Sequence, residues 1–551
     1  MLKELSPERK QWVEETLSSM TDEEKLAQTV CEIYSNIASS GDAASWLKKY
    51  PVGTVYVGSE VIDKDNKSFR QLKEEVSILR AETKIPLILC SDFEQGVGGQ
   101  LDDDPFTCFP DSMAVAATGD PRYAYEAGRI NALESGVLGV HWTFSTVTDL
   151  ALGKDNPITL TRSFGSDPER MIPFIRAHIR GLQEHGCAAT GKHFPGDGVD
   201  NRNQHFVTSF NPLTKDEWMR TYGKVWKSAI DEGLMTVMVG HIAMPELEKM
   251  DEKTHKYRPA TASKRIMTDL LRGELGYRGL IVSDALGMNG FCSWADYETR
   301  MIDAFEGGVD VFLWPETERF LPMMKKALDE GRISRTRLDD AVRHVLELKA
   351  RLDLKLGTVP FDGNGKKISR EIAEKALNLL RNENGTLPLA KKKDARYLVM
   401  VTPSNEKALK VLSPFAEALK AYGSVDYCSF AEMDEEKLGD YDCAILLNVA
   451  RARYGDSRGW APQIWPFLRS EKCARRVVIG FANPFFYYDV PSCDAYINAY
   501  NNYAETQKMA VKALFGELDF AGRSPIAIPG YVKEGDGLSL KNERGKMKDE
   551  R

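Results

Sequence analysis

Between about residue 20 and residue 350, short apolar runs alternate with longer stretches in which apolar side chains recur at helical spacing. The runs at 52–57, 86–90, 138–142, 187–190, 234–240, 280–283 and 309–313 predict strands. Residues 339–352 have the clearest helical period, with Val342, Val345 and Leu346 among the apolar positions. Strands alternating with helices over this length predict parallel pairing and a (β/α)8-like TIM barrel. Seven strands are legible, so a doubly wound open sheet is the alternative. Residues 357–367 are rich in Gly, Pro, Asn and Lys and predict a linker, and 368–381 predict a helix. A second α/β unit follows, with strands expected at 397–401, 443–448, 477–481 and 495–499. The expected domains are 1–356 for the barrel, 357–392 for linker and connecting helix, and 393–531 for the second α/β domain. Residues 532–551 form a charged tail.

Composition narrows the class. A chain of 551 residues exceeds one ordinary core, and 42% hydrophobic with 28% charged residues is a globular balance. The net charge of −8 gives no reason to expect nucleic acid as a partner. No apolar run nears the roughly 18 residues that span a bilayer. The start, Met1-Leu2-Lys3-Glu4, has no apolar signal core, so no membrane partner is expected. Nine scattered cysteines without a Cys-x-x-Cys pair read as free thiols in a reducing cytoplasm, and no metal or organic cofactor is expected.

Two strand ends concentrate polar chemistry. Lys192-His193-Phe194-Pro195-Gly196-Asp197-Gly198, running on to His205, follows one apolar run. Ser283-Asp284-Ala285 ends another. Asp284 reads as a helix N-cap or as a carboxylate able to attack an anomeric carbon. His205 reads as an exposed loop histidine or as a mobile general acid/base. Lys192 and His193 are either a buried charge pair or donors to sugar hydroxyls. Asp92 and Glu94 precede Gly96-Val97-Gly98-Gly99, which fails as a dinucleotide loop because Leu101 stands where a third glycine belongs. These carboxylates suit a polyol. Arg162 is a salt-bridge partner or a substrate anchor, and Asp102-Asp103-Asp104 a solvated turn. Arg451, Arg453, Tyr454 and Arg458 read as a solvated loop or as residues that reach over the pocket.

Several ordered motifs together resemble glycoside hydrolase family 3. They are Met20-Thr21-Asp22-Glu23-Glu24-Lys25, Thr161-Arg162-Ser163-Phe164-Gly165, Lys192-His193-Phe194-Pro195-Gly196, Gly240-His241-Ile242 and Gly279-Leu280-Ile281-Val282-Ser283-Asp284. Leu379-Leu380-Arg381-Asn382-Glu383-Asn384-Gly385 resembles the entry to that family's second domain. The resemblance implies a TIM-like barrel followed by an α/β sandwich domain, and a carbohydrate substrate with a β-linked terminal sugar. Its β-N-acetylhexosaminidase branch places an acid/base histidine 13 positions after the motif lysine, which is His205 here. The resemblance implies Asp284 as nucleophile and Asp92, Arg162, Lys192 and His193 as sugar-binding residues. The expected activity is that of an exo-acting retaining β-glycoside hydrolase. A β-glucosidase or β-xylosidase, a phosphorylase and a decayed sugar-binding protein are the rivals. Two positions depart from the branch. Asn203 stands where it has an aspartate two residues before the histidine, and Gln100 where it has an arginine.

Overall fold

Among the described residues, ten strands carry the first part of the chain: β1 Val30–Ile33, β2 Thr54–Tyr56, β3 Ile88–Ser91, β4 Val140–Thr143, β5 Ala188–Phe194, β6 Ser209–Phe210, β7 Thr236–Val239, β8 Ile242–Ala243, β9 Leu280–Ser283 and β10 Phe312–Leu313. This computed structural model describes residues 2–58, 74, 77–81, 83–101, 106–252, 254–352, 354, 363–449 and 464–540. Asp102–Asp104, the 451–463 loop, most of the linker and the 541–551 tail lie outside the described residues. The chain divides into two units. The first holds Met1–Phe109, Ala124–Leu150 and Ile172–Gly365, and the second holds Pro110–Tyr123, Ala151–Met171 and Lys366–Arg551.

In the first unit eight strands follow the order β10-β1-β2-β3-β4-β5-β7-β9, with every neighbouring pair parallel. A parallel bridge from Val282 to Val311 brings the last strand back to the first, so the barrel reading holds over the open sheet. The short strands β6 and β8 pair apart from the ring. The strand missing from the sequence reading is β1. It has four residues and carries Glu32 at its centre, which breaks the apolar run. Glu32 is nonetheless buried, with its Oε1 accepting from the Ile33 N–H and Asn36 and its Oε2 from the Thr317 hydroxyl. The helix before it, Asp22–Gln28, opens on a capping box in which Thr21 and Glu24 satisfy each other's backbone N–H.

The barrel interior is filled by Cys31, Tyr56, Cys90, Trp142, Phe144, Met238 and Val282, drawn from successive strands. Trp142 brings a polar N–H into this core, where an unbonded donor costs about 1–3 kcal/mol. Its Nε1 reaches both Thr190 Oγ1 and Thr236 Oγ1 at 2.9 Å. Each threonine hydroxyl also donates to a strand carbonyl, Thr143 O and Ala189 O.

Asp310 ties the closing seam. Its backbone N–H donates to Ile281 O, and its Oδ2 accepts from the Ile281 N–H at 2.9 Å. Arg272, Arg337 and His344 surround the same fully buried carboxylate at 2.7, 2.9 and 3.1 Å. Burial pushes its pKa up, but His344, Arg272 and Arg337 outweigh that and hold it well below the ordinary carboxylate range.

The second unit holds β11 Asn378–Asn382, β12 Arg396–Thr402, β13 Ser424–Ser429, β14 Cys443–Asn448, β15 Arg476–Gly480 and β16 Ala495–Asn498. Their order is β11-β16-β15-β14-β12-β13. All pairs are parallel except β11 with β16. Helices Glu406–Leu419 and Ala504–Leu514 contribute Leu412, Phe415 and Leu514 to a core with Val399, Ile445, Val477 and Ile497. The helix expected over 368–381 is shorter. It spans Gly365–Ala376, and the chain then turns into β11. Leu379, which continued the helical period in sequence, pairs with Ile497 instead, and Asn378 Nδ2 is held by Gly522 O at 2.9 Å. β13 escaped the sequence reading because it is a half-exposed edge strand containing Ser424, Asp426 and Ser429.

Asp310→Ala leaves two guanidinium groups without their buried carboxylate. It should lower unfolding stability by about 3–5 kcal/mol in urea titration. In the wild type this contribution is complete above the unfolded carboxylate pKa, about 3.9, and declines as pH falls below it. A loss under about 1 kcal/mol at neutral pH would contradict this account of the seam.

Candidate active site

β9 delivers Asp284. The Asp284 N–H donates to Val239 O at 2.9 Å, which locks the residue against the end of β7. No helix begins here. The next helix, Asn289–Cys292, has Met288 at its N-cap, so the capping role read from sequence is absent. Asp284 Oδ1 accepts only from the Ala285 N–H at 2.7 Å, and Oδ2 has no hydrogen-bond donor among the described residues. Burial pushes the carboxyl pKa up. His193 and His241, then the Ala285 N–H and His205, pull it back, and the net result lies below the usual value. The group is therefore ionised at neutral pH, with one oxygen uncommitted.

β5 delivers Lys192 and His193 from its last turn of chain. Lys192 Nζ is buried and contacts Asp92 Oδ1 at 2.8 Å and Glu94 Oε1 at 2.5 Å, both just beyond β3. His193 Nδ1 lies 2.7 Å from Asp149 Oδ2. Asp149 is fully buried, and its Oδ1 also accepts from the N–H groups of His193 and Asp197 at 3.1 and 2.8 Å. A carboxylate cannot donate, so His193 carries a proton on Nδ1 and presents Nε2 as its variable nitrogen. The turn after it is pinned by large side chains. Trp218 Nε1 donates to Pro195 O, Asn211 Nδ2 to Gly196 O and the Tyr222 hydroxyl to Asp197 O. Gly196 has φ +133°, and a Cβ there would meet the Tyr222 ring at 2.1 Å, so no other residue fits.

His205 stands in the loop between β5 and β6. Its backbone N–H and its Nδ1 both contact Asn203 Oδ1, at 2.9 and 2.7 Å. The loop is fastened to the segment beyond Asp284. Asn289 N–H donates to His205 O, Gly290 N–H to Gln204 O and Asn289 Nδ2 to Phe206 O. The loop expected to be free is thus bonded in this state to the chain that carries Asp284. His241, after β7, is buried against Phe291; its Nε2–H donates to Ala285 O at 3.0 Å and its Nδ1 meets Thr261 Oγ1 at 2.8 Å. Burial lowers its pKa, chiefly, against the opposing pull of Asp284. Gln204 couples the two loops, because its Oε1 accepts from the His241 N–H at 2.9 Å.

The barrel thus brings Asp92, Lys192, His193, His205 and Asp284 to the carboxyl ends of its strands or the loops that follow them, where such barrels carry their chemistry. Arg162 belongs to the second unit. It ends the 3-10 turn Leu160–Arg162, and its Nη1 donates to Ile158 O at 3.1 Å. Asp200, in the same loop as His205, takes the Arg202 guanidinium and the Phe210 N–H. Gln100 Nε2 lies 3.4 Å from the Tyr56 hydroxyl. Asp149 and Gln204 were missed. Asp149 sits between Thr148 and Leu150 with no charged neighbour to mark it. Among the described residues no group of three or more His, Cys, Asp or Glu could hold a metal ion.

Comparison with known proteins places the chain. Residues 21–348 match the glycosyl hydrolase family 3 N terminal domain, and the chain belongs to glycoside hydrolase family 3. It is 29% identical to a beta-N-acetylglucosaminidase/beta-glucosidase of Cellulomonas fimi, over 94% of this chain and 95% of that protein. The solved structure of a beta-glucoside phosphorylase superposes with a TM-score of 0.81 at 30% identity, covering 95% of this chain and 96% of the other. A glycoside hydrolase family 3 beta-N-acetylglucosaminidase from Paenibacillus sp. str. FPU-7 superposes with a TM-score of 0.80 at 26% identity, covering 92% and 99%.

Removing Asp149 takes the acceptor from two backbone N–H groups and from the His193 ring at once. Asp149→Ala should cost on the order of 3 kcal/mol in urea unfolding, while Asp149→Asn, which keeps an acceptor oxygen, should cost clearly less. Equal losses in the two variants would show that the hydrogen bonds do not hold this turn.

Proposed function

We propose that this chain is an exo-acting retaining β-glycosidase that releases a terminal β-N-acetylglucosaminyl residue through a covalent glycosyl-enzyme. The observation that carries this reading is a carboxylate at the end of β9 with one uncommitted oxygen, on a segment bonded to the loop in which Asn203 sets the tautomer of His205. In the first step Asp284 Oδ2 attacks C1, the C1–O bond to the leaving group breaks, and imidazolium Nε2 of His205 gives its proton to the departing oxygen. In the second, Nε2 takes a proton from water as that oxygen bonds to C1, and the ester electrons return to Asp284.

His193 and Lys192 are the donors assigned to the sugar ring. Asp149 holds the first, and Asp92 with Glu94 the second. Groups fixed by such partners cost little reorganisation as charge develops at the ring. Arg162 is assigned a sugar-anchoring role by its motif. Gln100 offers no cation, which supports an uncharged substrate at that position. The N-acetylglucosaminidase activities named for the Cellulomonas fimi and Paenibacillus proteins support the choice of sugar. None of the nine cysteines is held in a disulfide among the described residues, which supports a reducing cytoplasmic setting. Among the described residues no helix is long and apolar enough to cross a membrane.

A second reading has its own observation. The group that orients His205 is the neutral amide of Asn203, so no carboxylate at that point repels an anion approaching C1. Inorganic phosphate is then an alternative acceptor to water, and one structural neighbour is named as a phosphorylase.

Asp284→Ala should lower kcat/KM on aryl β-N-acetylglucosaminides at least about 1,000-fold, because the covalent route is closed. Near-normal turnover would refute the nucleophile. His205→Ala should lower kcat/KM about 100-fold or more on glycosides with poor leaving groups and far less on dinitrophenyl glycosides, whose departure needs no proton. Equal losses on both would remove the acid role. A panel of aryl N-acetylglucosaminide and aryl glucoside run with and without phosphate separates the two acceptors. Hydrolysis gives free sugar at a rate indifferent to phosphate, and phosphorolysis gives a sugar 1-phosphate at a rate that rises with it.

A further inference from the structure

The contact between Asn203 and His205 has a definite chemical sense. The backbone N–H of His205 can only donate, so the atom it meets at 2.9 Å must be the amide oxygen of Asn203 and not its nitrogen. The same oxygen lies 2.7 Å from His205 Nδ1. An amide oxygen can only accept, so Nδ1 carries a hydrogen whether the ring is neutral or charged. The titrating nitrogen is therefore Nε2. The loop bonds to Asn289 and Gly290 keep the ring in this position.

A carboxylate in the same place would make the same two contacts but would also stabilise the imidazolium by charge. The amide supplies orientation without charge. Among the described residues, charged or titratable groups that interact with the ring include Asp284 beyond β9 and His241 beyond β7. Asp197, Asp200 and Arg202 lie in its own loop, and Cys292 is in the helix that fastens it. Asp200 is engaged by Arg202, and Asp197 Oδ1 by the Gly198 N–H.

We propose that Asn203 is the positioning residue of the acid/base, holding the His205 proton on Nδ1 while leaving Nε2 a weak base, so that attack of water on the glycosyl-enzyme is the slow step. This rests on the glycosidase reading above. The two half-reactions ask for different things. Formation of the ester needs a proton on Nε2, and a weakly basic imidazole gives its proton up readily. Breakdown by water needs Nε2 to take a proton as the oxygen bonds to C1, and a weak base does this slowly. A small anion such as azide needs no base. It bonds to C1 directly, the C1–O bond to Asp284 breaks, and the electron pair returns to the carboxylate.

The test uses the full chain and a dinitrophenyl β-N-acetylglucosaminide, followed before and during steady state. The wild type should release a burst of about one dinitrophenol per active site, and azide should raise the steady rate several-fold. Asn203→Asp, which preserves both contacts and adds charge, should shrink the burst, raise the water-dependent kcat on the order of tenfold and abolish most of the azide effect. On a glycoside with an unactivated leaving group, kcat/KM is lost as pH rises and the imidazolium deprotonates. In Asn203→Asp that fall should move up by about one pH unit or more. Asn203→Ala should lose kcat/KM on the unactivated glycoside while keeping the burst on the dinitrophenyl one, a pattern that loss of folding cannot give. No burst and no azide effect in the wild type would overturn the proposal, as would an unshifted pH profile in Asn203→Asp. If Asp284→Ala turns over normally, the glycosidase reading fails as a whole. A dead Asp284→Ala with an unshifted Asn203→Asp sinks only the role of Asn203.

Discussion

A carboxylate at the mouth of a barrel keeps its charge only where cations or N–H dipoles face it, and the whole site is arranged around that constraint at Asp284. Burial works against ionisation. His193 and His205 from the end of β5 and the loop after it, and His241 from the end of β7, work for it, with the Ala285 N–H beside them. Burial alone would raise the pKa of an isolated aspartate in this position and so disfavour its charged form. A more fully hydrogen-bonded one would be ionised but satisfied, as a helix cap is. Asp284 is ionised with one oxygen spent and one uncommitted.

Each histidine needs support of its own, and the fold supplies it from further out. Asp149 holds His193, Thr261 holds His241, and Asn203 holds His205. Asp149 and Thr261 lie far along the chain from their histidines and reach them through the fold, whereas Asn203 lies in the same loop as its own. The closure depends in turn on Asp310, which bonds the last strand to the first and gathers two arginines and a histidine around the seam. The chemistry thus lies at the carboxyl ends of the strands, while a separate charge cluster ties the ring together.

Much of this was legible in the residues. Seven of the eight barrel strands stand out because a parallel strand covered on both faces is a continuous apolar run. The eighth hid behind Glu32, whose burial depends on partners such as Thr317, nearly three hundred residues away. In the second unit β11 was read as the end of a helix, since Leu379 fits both periods and only pairing with Ile497 decides between them. The dense polar segment from Lys192 to His205 announced itself, and so did Asp284 at the end of an apolar run. The partners did not. Asp149 lies alone among apolar and hydroxyl residues, and Gln204 is one amide in a polar loop. A buried carboxylate is recognisable only by what it accepts, and that is a property of three dimensions. Asn203 was visible as a departure from its family's pattern, but that it still orients the histidine follows only from the shared oxygen.

The claim on which the account rests is that C1 of the sugar becomes esterified to Asp284. Incubating the enzyme with a fluorinated, slowly released β-glycosyl donor and measuring intact mass and peptide masses tests it most directly. The account predicts one glycosyl group per chain, carried on the peptide that contains Asp284. Continued hydrolysis of ordinary substrates with no adduct, or an adduct on a different residue, would contradict it.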